Sequence, residues 1–262
     1  MPGPELAHAF AARGLDWIVP SWPAPPRVHA FMTTRNGGVS DGARTALDIG
    51  GARDGDDPAI VENRRRLAAF LPAPPIWLEQ VHGRTVANVD AANIAALRAA
   101  AARGDALVTR LADAPLAIRV ADCIPVLFAA RDECVVAAAH AGWRGLAGGV
   151  IEATLAAMRA APASVAAWLG PAIGAAAFEV GDDVRDAFTR DDAGADAHFV
   201  AGRDGRWQCD LRALARRRLA AAGVVDIAGD DACTHAASTR FFSYRRDGTT
   251  GRMAACIWQD RG

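Results

Sequence analysis

Short apolar runs bounded by turn residues recur along the chain from residue 28 onward, and they constrain its fold more than any other feature. Runs of this length, rich in valine, isoleucine and alanine, predict β-strands, several of them buried on both faces. The runs are VHAFMTT, IWLEQVHG, TVANVD, DALVT, LAIRVAD, PVLFAA, CVVAAAH, VAAWLG, GVVDIAG and RMAACIW. The chain therefore carries enough strands for a large sheet.

Helical signals lie between these runs. Asp57 followed by Pro58 predicts a helix through Phe70, because proline suits the first helical position. Further helices are predicted at 91–103, 145–160, 181–189 and 210–222. Strands mixed with helices, without strict alternation, predict the α/β (α+β) class, as a single-domain α/β/α sandwich with a central mixed β-sheet. No long linker separates two cores, so one catalytic domain is expected across residues 1–262.

The charged side chains nearly balance, with 29 basic and 30 acidic residues. No global field would attract nucleic acid or an anionic membrane, so any anion site must be local. No run reaches the roughly 18 apolar residues that span a bilayer, and no basic leader precedes an apolar segment. The five cysteines are odd in number and widely spread, which predicts free thiols in a reducing, cytoplasmic compartment.

Lysine is absent from the sequence, so all 29 basic side chains are arginines. This excludes Schiff-base chemistry, pyridoxal phosphate held as an internal aldimine, and a phosphate loop built around lysine. The high alanine, arginine and glycine content indicates genomic base composition as the origin of the bias. The absence of lysine therefore excludes these mechanisms but does not indicate which mechanism the protein uses.

Three side chains stand where a predicted strand meets a turn: His82 in QVHG, Cys123 in ADCIP and His140 in HAGWRG. A rigid sheet can direct side chains at its strand ends toward one point. Their spacing differs from that of zinc fingers and of paired histidines on one helix, so it does not identify a metal site by itself. The chemistry suits zinc, because two imidazoles and one thiolate fill three corners of a tetrahedron and leave the fourth for water.

The same residues allow other interpretations. Cys123 and His140 could form a nucleophile and its base, and two histidines with one cysteine are also the ligands of blue copper. A multicopper cluster would need more histidines than those left over, which are His8, His29, His198 and His235. The buried, inert thiols are expected to be Cys134, Cys209 and Cys256.

Arginines next to glycine-rich turns are candidate binders of substrate or phosphate. Arg35 lies in TTRNGGVS, Arg144 in HAGWRG and Arg245 in FFSYRRDGTTGR. In such turns, backbone N–H groups and forked guanidinium donors can approach an anion together. The arginine runs 64–66 and 216–218 fall on predicted helices, where solvated side chains are the simpler interpretation. The aromatic residues of FFSY could form a pocket wall or belong to the core.

Taken together, these motifs resemble those of the YfiH-like laccase-domain proteins, also called multicopper polyphenol oxidoreductases or purine nucleoside phosphorylases. The resemblance extends over most of the chain, and HAGWRG and FFSYRRDG are long and unusual. The motifs that carry it are TTRNGGVS, ENRRRL, WLEQVHG, DALVT, ADCIPVLF, HAGWRG, LGPAIG, FEVGDDV and FFSYRRDGTTGR.

The resemblance implies one laccase-type catalytic domain with an α/β/α sandwich fold. It also implies zinc bound by His82, Cys123 and His140, with purine nucleoside and phosphate as substrates. Relatives are described as cleaving adenosine, inosine or methylthioadenosine with phosphate, and as deaminating adenosine. One bacterial relative is described as a peptidoglycan editing factor, and the family's older name implies a copper polyphenol oxidase.

One segment departs from the family pattern. Relatives usually read Leu-Asn-Leu-Gly and then His-Val-Gly-Asp-Asp, whereas ALDIGGARDGDDP has Asp48 for the asparagine, Ala52 for the histidine and one extra residue. The contribution of this loop to substrate binding is therefore an open question at the level of sequence.

Several functions fit these residues. In phosphorolysis, phosphate attacks C1′ of the ribose as the purine leaves, whereas in deamination a water activated by zinc attacks C6 of adenine. A cysteine amidohydrolase acting on cell-wall precursors would use Cys123 as nucleophile and His140 as base. A non-catalytic module with a structural metal would need a fourth protein ligand.

Overall fold

The fold is built from the following strands and helices of the computed structural model, which describes residues 3–51, 54 and 56–261. The strands are β1 (Val28–Met32), β2 (Leu78–Glu79), β3 (Val86–Val89), β4 (Ala102–Arg103), β5 (Ala106–Thr109), β6 (Leu116–Val120), β7 (Ile124–Ala130), β8 (Val136–Ala141), β9 (Val165–Leu169), β10 (Glu179–Gly181), β11 (Phe199–Ala201), β12 (Arg206–Cys209), β13 (Asp226–Gly229) and β14 (Met253–Gln259). The helices are α1 (Gly3–Ala11), α2 (Pro58–Ala68), α3 (Ile94–Ala99), α4 (Trp143–Ala147), α5 (Val150–Met158), α6 (Asp182–Thr189), α7 (Leu211–Ala221) and α8 (Tyr244–Asp247).

A six-stranded mixed sheet lies at the centre, in the spatial order β13-β9-β7-β8-β5-β3. The outer pairs β13/β9 and β3/β5 are parallel, whereas the inner pairs are antiparallel. Every residue of β7, β8 and β9 is buried, because both faces of these strands are covered. Helices α5 and α7 pack on one of these faces.

A second, antiparallel sheet of order β1-β14-β6 covers the other face. Alternate residues of β14 show its two sides. Ala255 and Ile257 pack toward the six-stranded sheet, whereas Cys256 and Trp258 pack in a separate core with residues of α1 and α2. The predicted α/β class is thus confirmed, and the layer between the outer helices consists of two stacked sheets.

Two predicted helices are shorter in the structure. The helix expected at 145–160 is broken between α4 and α5, where Gly149 adopts a left-handed φ of 92°. The helix expected at 91–103 ends at Ala99, and the chain then enters β4. Strands β10, β11 and β12 form a small sheet where no strand is predicted, because runs of three or four residues show no periodicity.

Helix α2 begins as predicted. Pro58 is its first residue, and the Asp57 carboxylate accepts a hydrogen bond of 2.9 Å from the backbone N–H of Ala59. This cap satisfies one of the N–H groups that have no partner inside the helix.

Replacing Asp57 by alanine is expected to lower the free energy of unfolding by about 1 kcal/mol, the usual contribution of such a cap. Urea unfolding followed by circular dichroism measures the change. Asp56→Ala is the matched control, since it removes a neighbouring exposed carboxylate that does not cap the helix. An equal loss in both variants would contradict the capping role.

The cysteines agree only in part with the prediction. Cys209 and Cys256 are buried, as predicted, but Cys134 is exposed, so its assignment to the core was wrong. The run CVVAAAH predicts a strand from its first residue, whereas β8 begins at Val136 and Cys134 lies in the preceding turn. Among the described helices, none has the length and apolarity needed to cross a membrane.

Candidate metal centre and cavity

His82, Cys123 and His140, the predicted metal ligands, lie together, and their ligand atoms all fall within 4.8 Å of one another. Cys123 immediately precedes β7 and His140 lies in the antiparallel neighbour β8, where it pairs with Pro125. His82 reaches them from the turn after β2, with its Nε2 4.0 Å from the Cys123 Sγ. Two imidazoles and one thiol suit a zinc or copper ion.

Asp105, which the sequence does not indicate, holds His82 and His140 of this cluster in place. Its fully buried carboxylate accepts a hydrogen bond of 2.9 Å from Nδ1 of His140, which leaves Nε2 of that ring for a metal. It also accepts hydrogen bonds from the backbone N–H groups of Val81, His82 and Gly83, at 3.3, 2.9 and 2.7 Å. One carboxylate therefore fixes both the ring of His140 and the turn that carries His82.

The backbone around the cluster is closely packed. A Cβ atom at Gly142 would lie 2.9 Å from the Cys123 Sγ and 3.0 Å from Cδ2 of His82, so only glycine fits there without displacing either ligand. His82 and Asp122 adopt left-handed backbone conformations, with φ of 59° and 86°. Non-glycine residues rarely adopt this conformation, and it commonly accompanies functional sites.

The electrostatics of the cluster favour a thiolate. Burial acts to raise the pKa of the Cys123 thiol, but the adjacent His140 and His82 imidazoles outweigh it and lower that pKa. Burial likewise acts to lower the pKa of His140, but Cys123 and Asp105 outweigh it and raise that pKa. Without a metal, the cluster thus favours a thiolate beside an imidazolium, and a thiolate is the form that binds metal.

Asp122, next to the candidate ligand Cys123, ties two distant segments to the site. One carboxylate oxygen accepts a hydrogen bond of 2.6 Å from the Thr234 hydroxyl, and the other accepts one of 2.7 Å from the backbone N–H of Arg245. Its backbone carbonyl accepts a hydrogen bond from the N–H of Ile173. Asp122 therefore positions the segment that begins α8.

A cavity of about 540 Å³ has the three candidate ligands in its wall. This volume lies within the usual range for sites that bind small molecules. Trp143, Phe178 and Tyr244 supply aromatic surface to the wall, and Tyr244 is largely exposed. Phe241 and Phe242, by contrast, are fully buried and belong to the core between the two large sheets.

The predicted anion-binding arginines do not all reach this cavity. Arg144 and Arg245 line it, with their guanidinium groups over the rings of Trp143 and Phe178, at 4.3 and 5.2 Å from the ring centroids. Arg35 is not among the lining residues. Its guanidinium instead donates hydrogen bonds to backbone carbonyls of the 45 and 238 loops. A glycine-rich turn in the sequence does not reveal the direction of the side chain it carries.

The altered loop has a definite structure at Asp48. This buried carboxylate accepts hydrogen bonds of 2.7 Å from the backbone N–H groups of Gly50 and Arg252. It therefore joins the loop to the start of β14. Ala52, the other departure from the family pattern, lies outside the described residues.

Comparisons with known proteins cover almost the whole chain. The sequence model of the family described as multi-copper polyphenol oxidoreductase laccase matches residues 29–260. A protein from Escherichia coli named purine nucleoside phosphorylase YfiH is 49% identical over 244 residues, which are 92% of this chain and 98% of that protein. A Pseudomonas aeruginosa protein that is also named a purine nucleoside phosphorylase is 46% identical over 243 residues, with the same coverage.

A solved crystal structure has a similar fold over almost the whole chain. The crystal structure of a Neisseria meningitidis protein of the DUF152 family superposes with a TM-score of 0.88 at 45% sequence identity. The match covers 94% of this chain and 99% of the other.

Proposed function

Because the chain belongs to the multi-copper polyphenol oxidoreductase laccase family, we propose that it is a zinc-dependent purine nucleoside phosphorylase. Its substrates are adenosine, inosine or methylthioadenosine together with phosphate, and the same site deaminates adenosine. The observation that carries this proposal is the convergence of His82, Cys123 and His140 in the wall of a cavity that also presents arginine and aromatic side chains.

The donor set fits zinc. His82, Cys123 and His140 would hold the ion, and Asp105 already directs Nε2 of His140 toward the cluster. Bound there, zinc supplies a Lewis acid that polarises a substrate atom or lowers the pKa of a water. Three protein ligands leave one tetrahedral position for substrate, as in catalytic rather than structural zinc sites.

The cavity wall suits a nucleoside and an anion. The rings of Trp143, Phe178 and Tyr244 offer apolar surface on which a planar purine can stack. Arg144 and Arg245 carry forked guanidinium donors that match the oxygens of phosphate or of a ribose. Holding phosphate and ribose in one cavity converts an encounter of two substrates into a reaction between neighbours, which is a large part of enzymatic rate enhancement.

The test is a product analysis of protein purified without added copper. Bound metal is quantified by plasma mass spectrometry, and adenosine with phosphate is followed by chromatography. Adenine with ribose 1-phosphate is the expected main product, and inosine reports deamination. Cys123→Ala protein purified in parallel shows whether contaminating enzymes contribute. Formation of neither product would overturn the proposal.

A second candidate function rests on the polar chain Cys123, His140 and Asp105. The thiol with its lowered pKa, the imidazole and the carboxylate occupy the roles of nucleophile, base and orienting acid in cysteine hydrolases. An amide of a cell-wall precursor would be the substrate. Trapping of an acyl-enzyme on Cys123 in zinc-free protein would support this function over phosphorolysis.

A copper polyphenol oxidase has less support from the geometry. His82, Cys123 and His140 form the one group of three or more potential ligand residues among the described residues. Of the other histidines, His29 is hydrogen-bonded through Nε2 to the Asp260 carboxylate at 2.8 Å and is not part of this group. The described chain thus offers ligands for one ion rather than for a multicopper centre.

A further inference from the structure

Arg119 occupies a position of β6 at which an apolar side chain would be expected. The strand alternates, with Ile118 and Val120 in the core between the two large sheets. Ala117 faces the opposite core beneath α1 and α2. The alternation places Arg119 on the same side as Ala117, and it is only 7% exposed. A buried arginine needs partners, since an isolated charge is costly to remove from water.

The partners that the described residues give Arg119 do not satisfy it. One Nη2 hydrogen bond goes to the Leu78 carbonyl at 2.5 Å, and the guanidinium lies 5.3 Å from the ring centroid of Trp77. Both backbone polar groups of Arg119 are fixed by the amide of Gln80, at 2.8 and 2.9 Å. A guanidinium has five N–H donors, so this rigidly held group has donors to spare, and it lines the cavity.

Other positive charges gather at the same end of the cavity. Arg252 lines it too, and Arg64 lies behind Gly51, whose carbonyl accepts its hydrogen bond of 2.9 Å. Burial, together with the charges of Arg64 and Arg252, outweighs the opposing charge of Asp54 and lowers the pKa of Arg119 to about 10. The positive charges therefore repel one another.

The nearby carboxylates Asp48 and Asp54 offset this positive charge only in part. Asp48 and Asp54 form their ion pairs with Arg44, at 3.6 and 3.9 Å. Within the described ranges, the guanidinium groups of Arg119 and Arg252 form no ion pair with a carboxylate. The Nη1 group of Arg252 donates hydrogen bonds to the backbone carbonyls of Thr250 and Gly251. Asp48 fixes the backbone of Arg252, so the altered loop positions this end of the cavity.

We propose that Arg119 and Arg252 form a subsite for a tetrahedral oxyanion, which is inorganic phosphate or the phosphate group of a sugar phosphate. The inference rests on the proposed function for the reaction in which the anion takes part. Binding of the anion can be measured without that reaction. Arg144 and Arg245 stack on aromatic rings and are exposed. Arg119, by contrast, is held in a fixed orientation away from bulk water, where a charge-assisted hydrogen bond is strongest.

Equilibrium dialysis with radiolabelled inorganic phosphate, in the absence of nucleoside, tests the subsite directly. Arg252→Met is the main variant, because its side chain bonds only to adjacent backbone and its loss should not disturb folding. Arg119→Met is the second, with the thioether stem replacing the packing on Trp77. Each is expected to weaken phosphate binding by about tenfold or more, as for the loss of a charged hydrogen-bond donor. Arg65→Gln removes an exposed charge from α2 and is the control.

Competition by ribose 1-phosphate, compared with free ribose, tells whether the subsite accepts a phosphate ester as well as the free ion. In steady-state assays, the KM for phosphate should rise in Arg252→Met while the KM for adenosine stays unchanged. Binding in Arg252→Met equal to that of Arg65→Gln would overturn the subsite, and so would failure of the wild type to bind phosphate at millimolar concentration.

The two proposals fail separately. Phosphorolysis with an unaltered KM for phosphate in the variants overturns the subsite and leaves the proposed function standing. Phosphate binding that depends on Arg252, without turnover of any nucleoside, overturns the proposed function and leaves the subsite standing.

Discussion

Replacing Cys123 by alanine is expected to release most of the bound metal and to lower nucleoside turnover by more than about a hundredfold. Loss of only a hydrogen-bond partner of a metal ligand already costs about ten- to a hundredfold in affinity or activity, and loss of a ligand costs more. The sulfur is also the one anionic donor of the set, so the two imidazoles alone offer a neutral, two-point site. Metal content and initial rates, measured on the same preparation, test both parts.

The matched control is Cys134→Ala, which removes an exposed thiol that precedes β8. Metal content and activity should equal those of the wild type. Cys123→Ser separates the two candidate functions further, because oxygen is a poorer zinc ligand in this geometry but a possible nucleophile. Full metal retention in Cys123→Ala would contradict the metal centre, and trapping of an acyl-enzyme in the wild type alone would favour the cysteine hydrolase.

Two residues of the cluster could be foreseen because they adjoin long buried strands. Cys123 lies two residues before PVLFAA, His140 is the last residue of CVVAAAH, and the antiparallel pairing of these two runs brings them together. Such strands can be predicted from a single sequence, since a strand that is buried on both faces has a continuous run of apolar residues. The sequence does not indicate which metal such residues would bind, because zinc and copper share these donors.

The arginines show where sequence reasoning falls short and where it could have gone further. The glycine-rich turn at Arg35 predicts an anion site, but the direction of its side chain depends on contacts with loops far away in sequence. LAIRVAD carries a usable signal for Arg119, namely a charge at an alternate position of an otherwise buried strand. A charged residue that breaks local patterning is a stronger pointer to function than one in a glycine-rich turn.

Asp105 is a different case, since its importance arises only from long-range register. The residue precedes β5, and the pairing of Ala106 with Ala139 on β8 brings it beside His140. Its backbone carbonyl also accepts the N–H of His140 at 2.7 Å. Nothing in the local sequence GDALV indicates this pairing, so the positioning residue follows only from the three-dimensional structure.

Replacing Asp105 by alanine is therefore expected to weaken zinc binding by about ten- to a hundredfold, as for other residues that orient metal-binding histidines. The variant frees the ring of His140 and leaves three backbone N–H groups of the 81–83 turn without their acceptor. Loss of the acceptor of these partly buried donors also removes stabilising hydrogen bonds, so the variant should unfold at lower urea concentration. Competition with a chromophoric chelator measures the affinity.

Asp105→Asn separates positioning from folding. Its single amide oxygen can still accept the hydrogen bonds of Val81 and Gly83, but the neutral amide no longer favours a proton on Nδ1 of His140. Asn at this position should restore much of the stability lost in Asp105→Ala while zinc affinity stays below that of the wild type. If zinc affinity falls in proportion to the free energy of unfolding in both Asp105→Ala and Asp105→Asn, Asp105 acts only on the fold. A deficit in metal binding that remains in a stably folded Asp105→Asn protein would show that its carboxylate tunes the ligand itself, because charge is then the property that has changed.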